Sequence, residues 1–198
     1  MLKTSDFSES SRVLTCFSGE LGLLRVSAKG VKRKGSKNLP VSQPFAFSRM
    51  ELYRGKGDFY TLVSGEVIEN FYGLASNYEA YTAAGRICGY VLDVAREELP
   101  DNETLRLLLN SLFTLAYGKQ RPGVVESVFV IRLFYDMGFL PPGPELCAKK
   151  GIRCSEALNA ALTHITEADL KQIFGFEISE DCAAELAKIA DLVLKEEL

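Results

Sequence analysis

The stretch RVLTCFSGELGLLRVSAKGVKRK, residues 12–34, decides the fold class. RVLTCFS and LGLLRVSAK are short segments rich in β-formers whose apolar residues alternate or run briefly before a turn, which is the pattern of strands. Between them, Gly19-Glu20-Leu21-Gly22 supplies glycines where a hairpin needs positive φ, so the two strands should pair antiparallel. Working outward, PFAFSRMELYR (44–54) and DFYTLVSGEVI (58–68) repeat the pattern about Gly55-Lys56-Gly57-Asp58, a second hairpin signal. Strands this short usually close into a barrel. A first domain over residues 1–70 is expected.

After Asn70 the period becomes helical. Ser76-Asn77-Tyr78-Glu79 reads as a capping box opening a helix to about Glu98, and Pro100-Asp101-Asn102 interrupts it. Leu105, Leu108, Leu109, Leu112 and Leu115 then recur at helical spacing up to Gly118. VVESVFVIRLFYDM (124–137) is apolar nearly all round, which marks a helix surrounded by others. Pro141-Pro142-Gly143-Pro144 is expected to be neither helix nor central strand, and shorter helices are expected over Ser155–Ile165, Thr166–Phe174 and Ser179–Leu194. The expectation is an α+β chain with a helical second domain over 71–198.

At 198 residues the chain has room for one large or two small cores, and 47% hydrophobic with 25% charged residues argues against disorder. No apolar run approaches a membrane span, and MLKTSDFSESS lacks the apolar segment of a signal peptide, so a cytoplasmic protein is expected. Five scattered cysteines (Cys16, Cys88, Cys147, Cys154, Cys182) suit reduced thiols better than a disulfide framework. The net charge of −3 conceals an asymmetry: residues 1–70 hold 11 Lys+Arg against 7 Asp+Glu, whereas residues 71–198 hold 12 against 19.

The basic excess concentrates in AKGVKRKGSKN, where Lys29, Lys32, Arg33, Lys34 and Lys37 share a glycine-punctuated loop between strands. Such a loop can follow a phosphate backbone, each cation releasing counterions. A solvated loop that protects a sheet edge is the competing reading. Barrels that bind single strands add rings on which bases stack. Phe45 and Phe47 fall on one face by alternation and read as core; Tyr53 and Tyr60, near Arg54 and Lys56 on the second hairpin, are the better candidates.

Taken in order, SESSRVLTCFSGELGLLRVSAKGVKRKGSK, QPF and ELYRGKG resemble the amino-terminal half of the bacterial RecO family of DNA repair and recombination proteins. FYGLASNYEAYTAAGRICGYVLDV, LLLNSLFTL and FVIRLFYDMGFLPP resemble its successive helices, so the similarity covers residues 3–142, with weaker likeness in ALNAALTHI and the final helix. No single motif is specific; their order is. The resemblance implies an oligonucleotide-binding (OB-fold) barrel joined to a helical domain, binding and annealing single-stranded DNA. It also implies that, together with RecR, such a protein helps RecA displace single-strand-binding protein. The segment holding Lys29 to Lys37 corresponds to the family's DNA-contacting region.

Two departures follow from the same comparison. Family members carry further residues ahead of the stretch that begins here at Leu2, which implies a barrel lacking part of its first strand. Many also carry a four-cysteine zinc loop where this chain has only Cys147 and Cys154. A structural zinc needs four N or S ligands, so no metal and no cofactor is expected, with the loop near 141–154 shortened and zinc-free.

His164, the sole histidine, lies in a predicted helix without a neighbouring nucleophile motif and reads as structural. Arg132 is the main cation of an apolar helix; it either pairs with Asp136 one turn on, or contacts the terminal carboxylate of the acidic tail of single-strand-binding protein that family members bind. With no Walker loop or dinucleotide fingerprint, a non-enzymatic mediator is expected. A protein-interaction adaptor with a degenerate barrel is the rival, and a cysteine-dependent enzyme the third class.

Overall fold

The computed structural model of the protein describes residues 1–55, 57–149 and 151–198, with every side chain except that of Pro144. Two compact units emerge, Met1–Tyr72 with Cys88–Leu105, and Gly73–Ile87 with Arg106–Leu198. In the first, β1 (Lys3–Asp6), β2 (Arg12–Ser18), β3 (Gly22–Ala28), β4 (Phe47–Arg54) and β5 (Tyr60–Glu69) form one sheet in the order β1-β2-β3-β5-β4. Both hairpins read from the glycines are antiparallel. The crossover is not visible in local pattern: β3 and β5 pair in parallel through Val26↔Tyr60 and Ser27↔Thr61.

Alternation fixes what each strand buries. β3 turns Leu24, Val26 and Ala28 inward and leaves Arg25 exposed. With Leu14, Cys16, Val31, Val41 and Leu62 these residues form the core, against which Met50, Leu52, Tyr60 and Val67 pack. Burial pushes the Cys16 thiol above its ordinary value. Among the described residues no ladder joins β1 to β4, so the sheet is not closed; Met1 N donates to Ala46 O (3.0 Å) and Phe45 N to Met1 O (3.2 Å) across that seam.

The β2–β3 turn is held within the same unit. Leu23 N donates to Arg96 O, Glu98 N to Leu21 O and Asp101 N to Gly19 O. Gly22 has φ +66°, and a Cβ there would fall on the carbonyl oxygen of Arg96. A side chain fits neither the backbone angle nor the space.

The helices are α1 (Tyr78–Val94), α2 (Asn102–Tyr117), α3 (Pro122–Asp136), α4 (Gly143–Lys149), α5 (Glu156–Glu167) and α6 (Glu180–Glu197). In the second unit α3 is the centre, packed on α5 and α6, with Val124, Val125, Val128 to Ile131, Leu133 and Phe134 all buried. None of the described helices is long and apolar enough to cross a membrane.

Three local expectations are corrected. Asn77 rather than Ser76 caps α1, its Oδ1 accepting from Ala80 N at 3.1 Å while the Ser76 hydroxyl donates to Gly73 O. A helix does start within PPGP, at Gly143; the first turn has no intrahelical use for its N–H groups and so tolerates proline. No helix forms over Thr166–Phe174, because Thr166 is buried in the last turn of α5, donating to Leu162 O and accepting from Gly143 N.

Candidate nucleic-acid interface

The chain leaves β3 at Ala28 and passes through Lys29–Leu39 before β4. Val31, almost wholly buried, pins this loop to the barrel core, and Gly30 (φ +68°) and Gly35 (φ +79°) take its left-handed turns. Successive turn bonds, Arg33 N to Gly30 O, Ser36 N to Arg33 O and Leu39 N to Ser36 O, keep it compact. Asn38 Nδ2 donates to Val63 O at 3.2 Å, which ties its far end to β5.

The five cations of the loop are not equivalent. Lys29, Arg33, Lys34 and Lys37 are exposed, and among the described residues none has an acid within ion-pair distance. Lys32 points elsewhere: its ammonium lies 2.7 Å from Asp6 and its backbone N donates to Ser10 O. The hydrogen bond from Lys32, aided by Arg12, holds the Asp6 carboxyl below the usual carboxylate value. Lys32 therefore fastens the loop to the turn after β1, and four cations face solvent.

The hairpin residues divide as well. Register pairs Tyr53 with Thr61 and Arg54 with Tyr60, and a period of two sends adjacent pairs to opposite faces. Tyr53 is 65% exposed on the outer face. Tyr60 is half-buried against the barrel core, with the Arg54 guanidinium 5.4 Å from its ring. Arg54 also pairs with Glu98 at 2.6 Å, so its charge is partly spoken for. Lys56 lies outside the described residues.

Missing from the sequence reading are Lys3 and Arg25. Lys3 pairs with Thr15 and Thr15 with Arg25, one row across the outer face, and the Arg25 guanidinium stands 5.7 Å from the ring of Phe59. The signal was present: Arg25 sits between Leu24 and Val26, and alternation alone sends it outward.

In the helical unit Arg132 is only 13% exposed at its side chain. Nε donates to both oxygens of Asp136, at 2.8 and 2.9 Å, and Nη1 to Ile165 O and Ala168 O, at 3.0 and 2.8 Å. It closes the carboxyl end of α5, where orphan carbonyls need donors. His164, half-buried, has its Nε2 3.2 Å from Gln172 O and its ring against Phe176. A groove of about 480 Å³ in the same unit is lined by Phe113, Phe174, Phe176 and the exposed Lys119 and Lys171.

Cys147 and Cys154 are joined as a disulfide, Cα–Cα 6.1 Å, which corrects the expectation of five separate thiols. The cause is a helix-ending turn: Ile152 N donates to Cys147 O and Gly151 N to Ala148 O, with Gly151 at φ +66°, folding the chain back over the end of α4. Two sulfurs bonded to each other do not offer the thiolates that a structural zinc takes as ligands. Among the described residues no group of three or more His, Cys, Asp or Glu could hold a metal.

Strand order, the parallel β3–β5 pairing and the long β3–β4 connection define the class: an OB-type barrel, here not fully closed, followed by helices. Residues 1–71 match the family model described as Recombination protein O N terminal. A DNA repair protein RecO of Acetivibrio thermocellus is 32% identical over 225 aligned residues, covering 100% of this chain and 89% of its own. Proteins of the same name from Caldicellulosiruptor bescii and Caldicellulosiruptor saccharolyticus are 34% and 33% identical over 70% and 71% of this chain, and 56% and 57% of their own length. The chain belongs to the RecO family.

Proposed function

We propose that the protein is a recombination mediator in DNA repair, binding single-stranded DNA through the Lys29–Lys37 loop and annealing complementary strands. The relatives' names supply the repair context. The observation that carries the reading is the set Lys29, Arg33, Lys34 and Lys37, four cations on one loop of an OB-type barrel with no acidic partner among the described residues, in a chain whose net charge is −3. Phosphate neutralisation by these residues would lower the repulsion between complementary strands while leaving base edges exposed. No covalent step, metal or cofactor enters this reading. The site of action would be the cytoplasm, on the nucleoid.

The partners proposed are RecR, RecA indirectly, and the acidic tail of single-strand-binding protein. For that tail, Arg132 has most of its guanidinium committed internally, so Lys119 and Lys171 beside the aromatic groove are the better-placed cations for an acidic peptide. An annealing assay with donor- and acceptor-labelled complementary oligonucleotides tests the main reading. Acceleration that fades as salt rises is expected. Annealing at the spontaneous rate, with no saturable strand binding, would instead leave a protein-binding adaptor.

A further inference from the structure

We infer that Asp6 competes with DNA phosphate for Lys32, which makes it an affinity-limiting residue that withholds one cation of the basic loop from a bound strand. This rests on the DNA-binding reading and concerns how tightly the loop holds. Lys32 is the second cation in the run Lys29, Lys32, Arg33, Lys34, Lys37, directly before the exposed Arg33 and Lys34. Its ammonium lies 2.7 Å from Asp6 Oδ2, and Asp6, with 60% of its side chain exposed against 28% for Lys32, is the more accessible partner. A phosphate that reaches Lys32 therefore has to displace an anion already seated there.

The ion pair is not what holds the loop in place. Lys32 N donates to Ser10 O at 3.0 Å and Gly30 N to Ser11 Oγ at 3.2 Å, so two bonds fasten the loop to the turn between β1 and β2 without the carboxylate. The buried Val31 anchors it to the barrel core as well. An ion pair this open to solvent contributes little to stability. What Asp6 changes is the charge available to a ligand. Arg12, its other partner at 3.3 Å, stays committed without it, because Nη1 also donates to Ser42 O and Ser42 Oγ, at 3.3 and 3.2 Å. Removing the carboxylate thus frees one cation, Lys32. A supporting role and a competing role for Asp6 have opposite signs: loss of a support weakens strand binding, and loss of a competitor strengthens it.

Fluorescence anisotropy of a labelled oligothymidylate, titrated with the full chain at several salt concentrations, reads that sign. Asp6→Asn should steepen the slope of log affinity against log salt by about 0.7, one added phosphate contact on a single strand, which at about 0.15 M salt is roughly 4-fold tighter binding. Adding Lys32→Ala to Asp6→Asn should abolish the gain. Glu9→Gln removes an equal charge from the same turn, where Glu9 is exposed and has no ion-pair partner among the described residues, and should leave the slope as it is. Unchanged or weaker binding by folded Asp6→Asn overturns the competition and leaves the DNA-binding reading standing, as does a gain that Glu9→Gln reproduces or that survives Lys32→Ala. If neither wild type nor Asp6→Asn binds the strand saturably, the DNA-binding reading fails and the competition with it.

Discussion

Arg132→Met should destabilise the helical unit by about 3 kcal/mol. The side chain is 13% exposed and that of Asp136 28%, so solvent screens this i,i+4 pair far less than a surface pair worth about 0.3–0.5 kcal/mol. Methionine keeps most of the apolar stem but removes four hydrogen bonds: two to Asp136 and two to the carbonyls of Ile165 and Ala168. Breaking a buried ion pair costs about 3–5 kcal/mol, and the partial exposure of Asp136 places this one at the low end. Arg132→Lys should recover only part of the loss, since a single ammonium cannot span the carboxylate and both carbonyls as the planar fork does. Urea unfolding followed by far-ultraviolet circular dichroism measures the effect. Adding Asp136→Asn to Arg132→Met should cost less than the sum of the single changes. A loss below ~1 kcal/mol for Arg132→Met would refute the structural role and return the guanidinium to the list of partner contacts.

Gly143→Ala should cost about 2–3 kcal/mol, because its Cβ would land on the Leu162 carbonyl and Thr163 nitrogen, whereas Gly85→Ala on an open face of α1 should stabilise by ~0.5–1 kcal/mol; thermal melts of both check the contrast. Asp6 titrates below its ordinary value, so its bonds to Lys32 and Arg12 persist above the unfolded-state pKa and are lost as pH falls through the lowered one. Lys32→Ala should move that midpoint upward in a carboxyl NMR titration, and an unmoved midpoint would dissociate Lys32 from Asp6. Alkylation of native protein near pH 8 should modify no cysteine before reduction and Cys154 first after it, since Cys147 is itself buried, read by mass spectrometry. Cys16 and Cys182 are buried with raised thiol pKa values, and burial pushes Cys88 up to about 11. Label on Cys88 would contradict that assignment.

Legibility followed the range of the determining interaction. Both antiparallel hairpins and the buried, all-round apolar α3 were readable, because glycine placement and hydrophobic period are local properties. Resemblance to the RecO family, carried by segments in order, was likewise in the sequence. Parallel β3–β5 pairing was not, since nothing near Val26 names Tyr60 as its neighbour. The same missing register hid the division of Tyr53 from Tyr60: both sit on one hairpin, and only the pairing Tyr53↔Thr61 shows that they face opposite ways. Lys32 looked like its neighbours until Asp6, 26 residues away, took its charge. Arg132 showed its helical partner Asp136, but its carbonyl partners lie 33 and 36 residues on. The cysteine bridge depended on the turn at Gly151, which spacing alone did not announce.

The central claim is that four loop cations, with no acidic partner among the described residues, grip a phosphate backbone. Its most direct test is the salt dependence of single-stranded DNA affinity in wild type and in a variant with Lys29, Arg33, Lys34 and Lys37 all changed to Ala. Each lost contact on a single strand lowers the slope of log affinity against log salt by about 0.7, so the variant's slope should be smaller by ~2.8, with weaker binding to every base sequence. Lys32→Ala alone should change the slope little, because that ammonium is held by Asp6. A quadruple variant that binds with the slope and affinity of wild type would contradict the account and leave the loop as a solvated edge of the barrel.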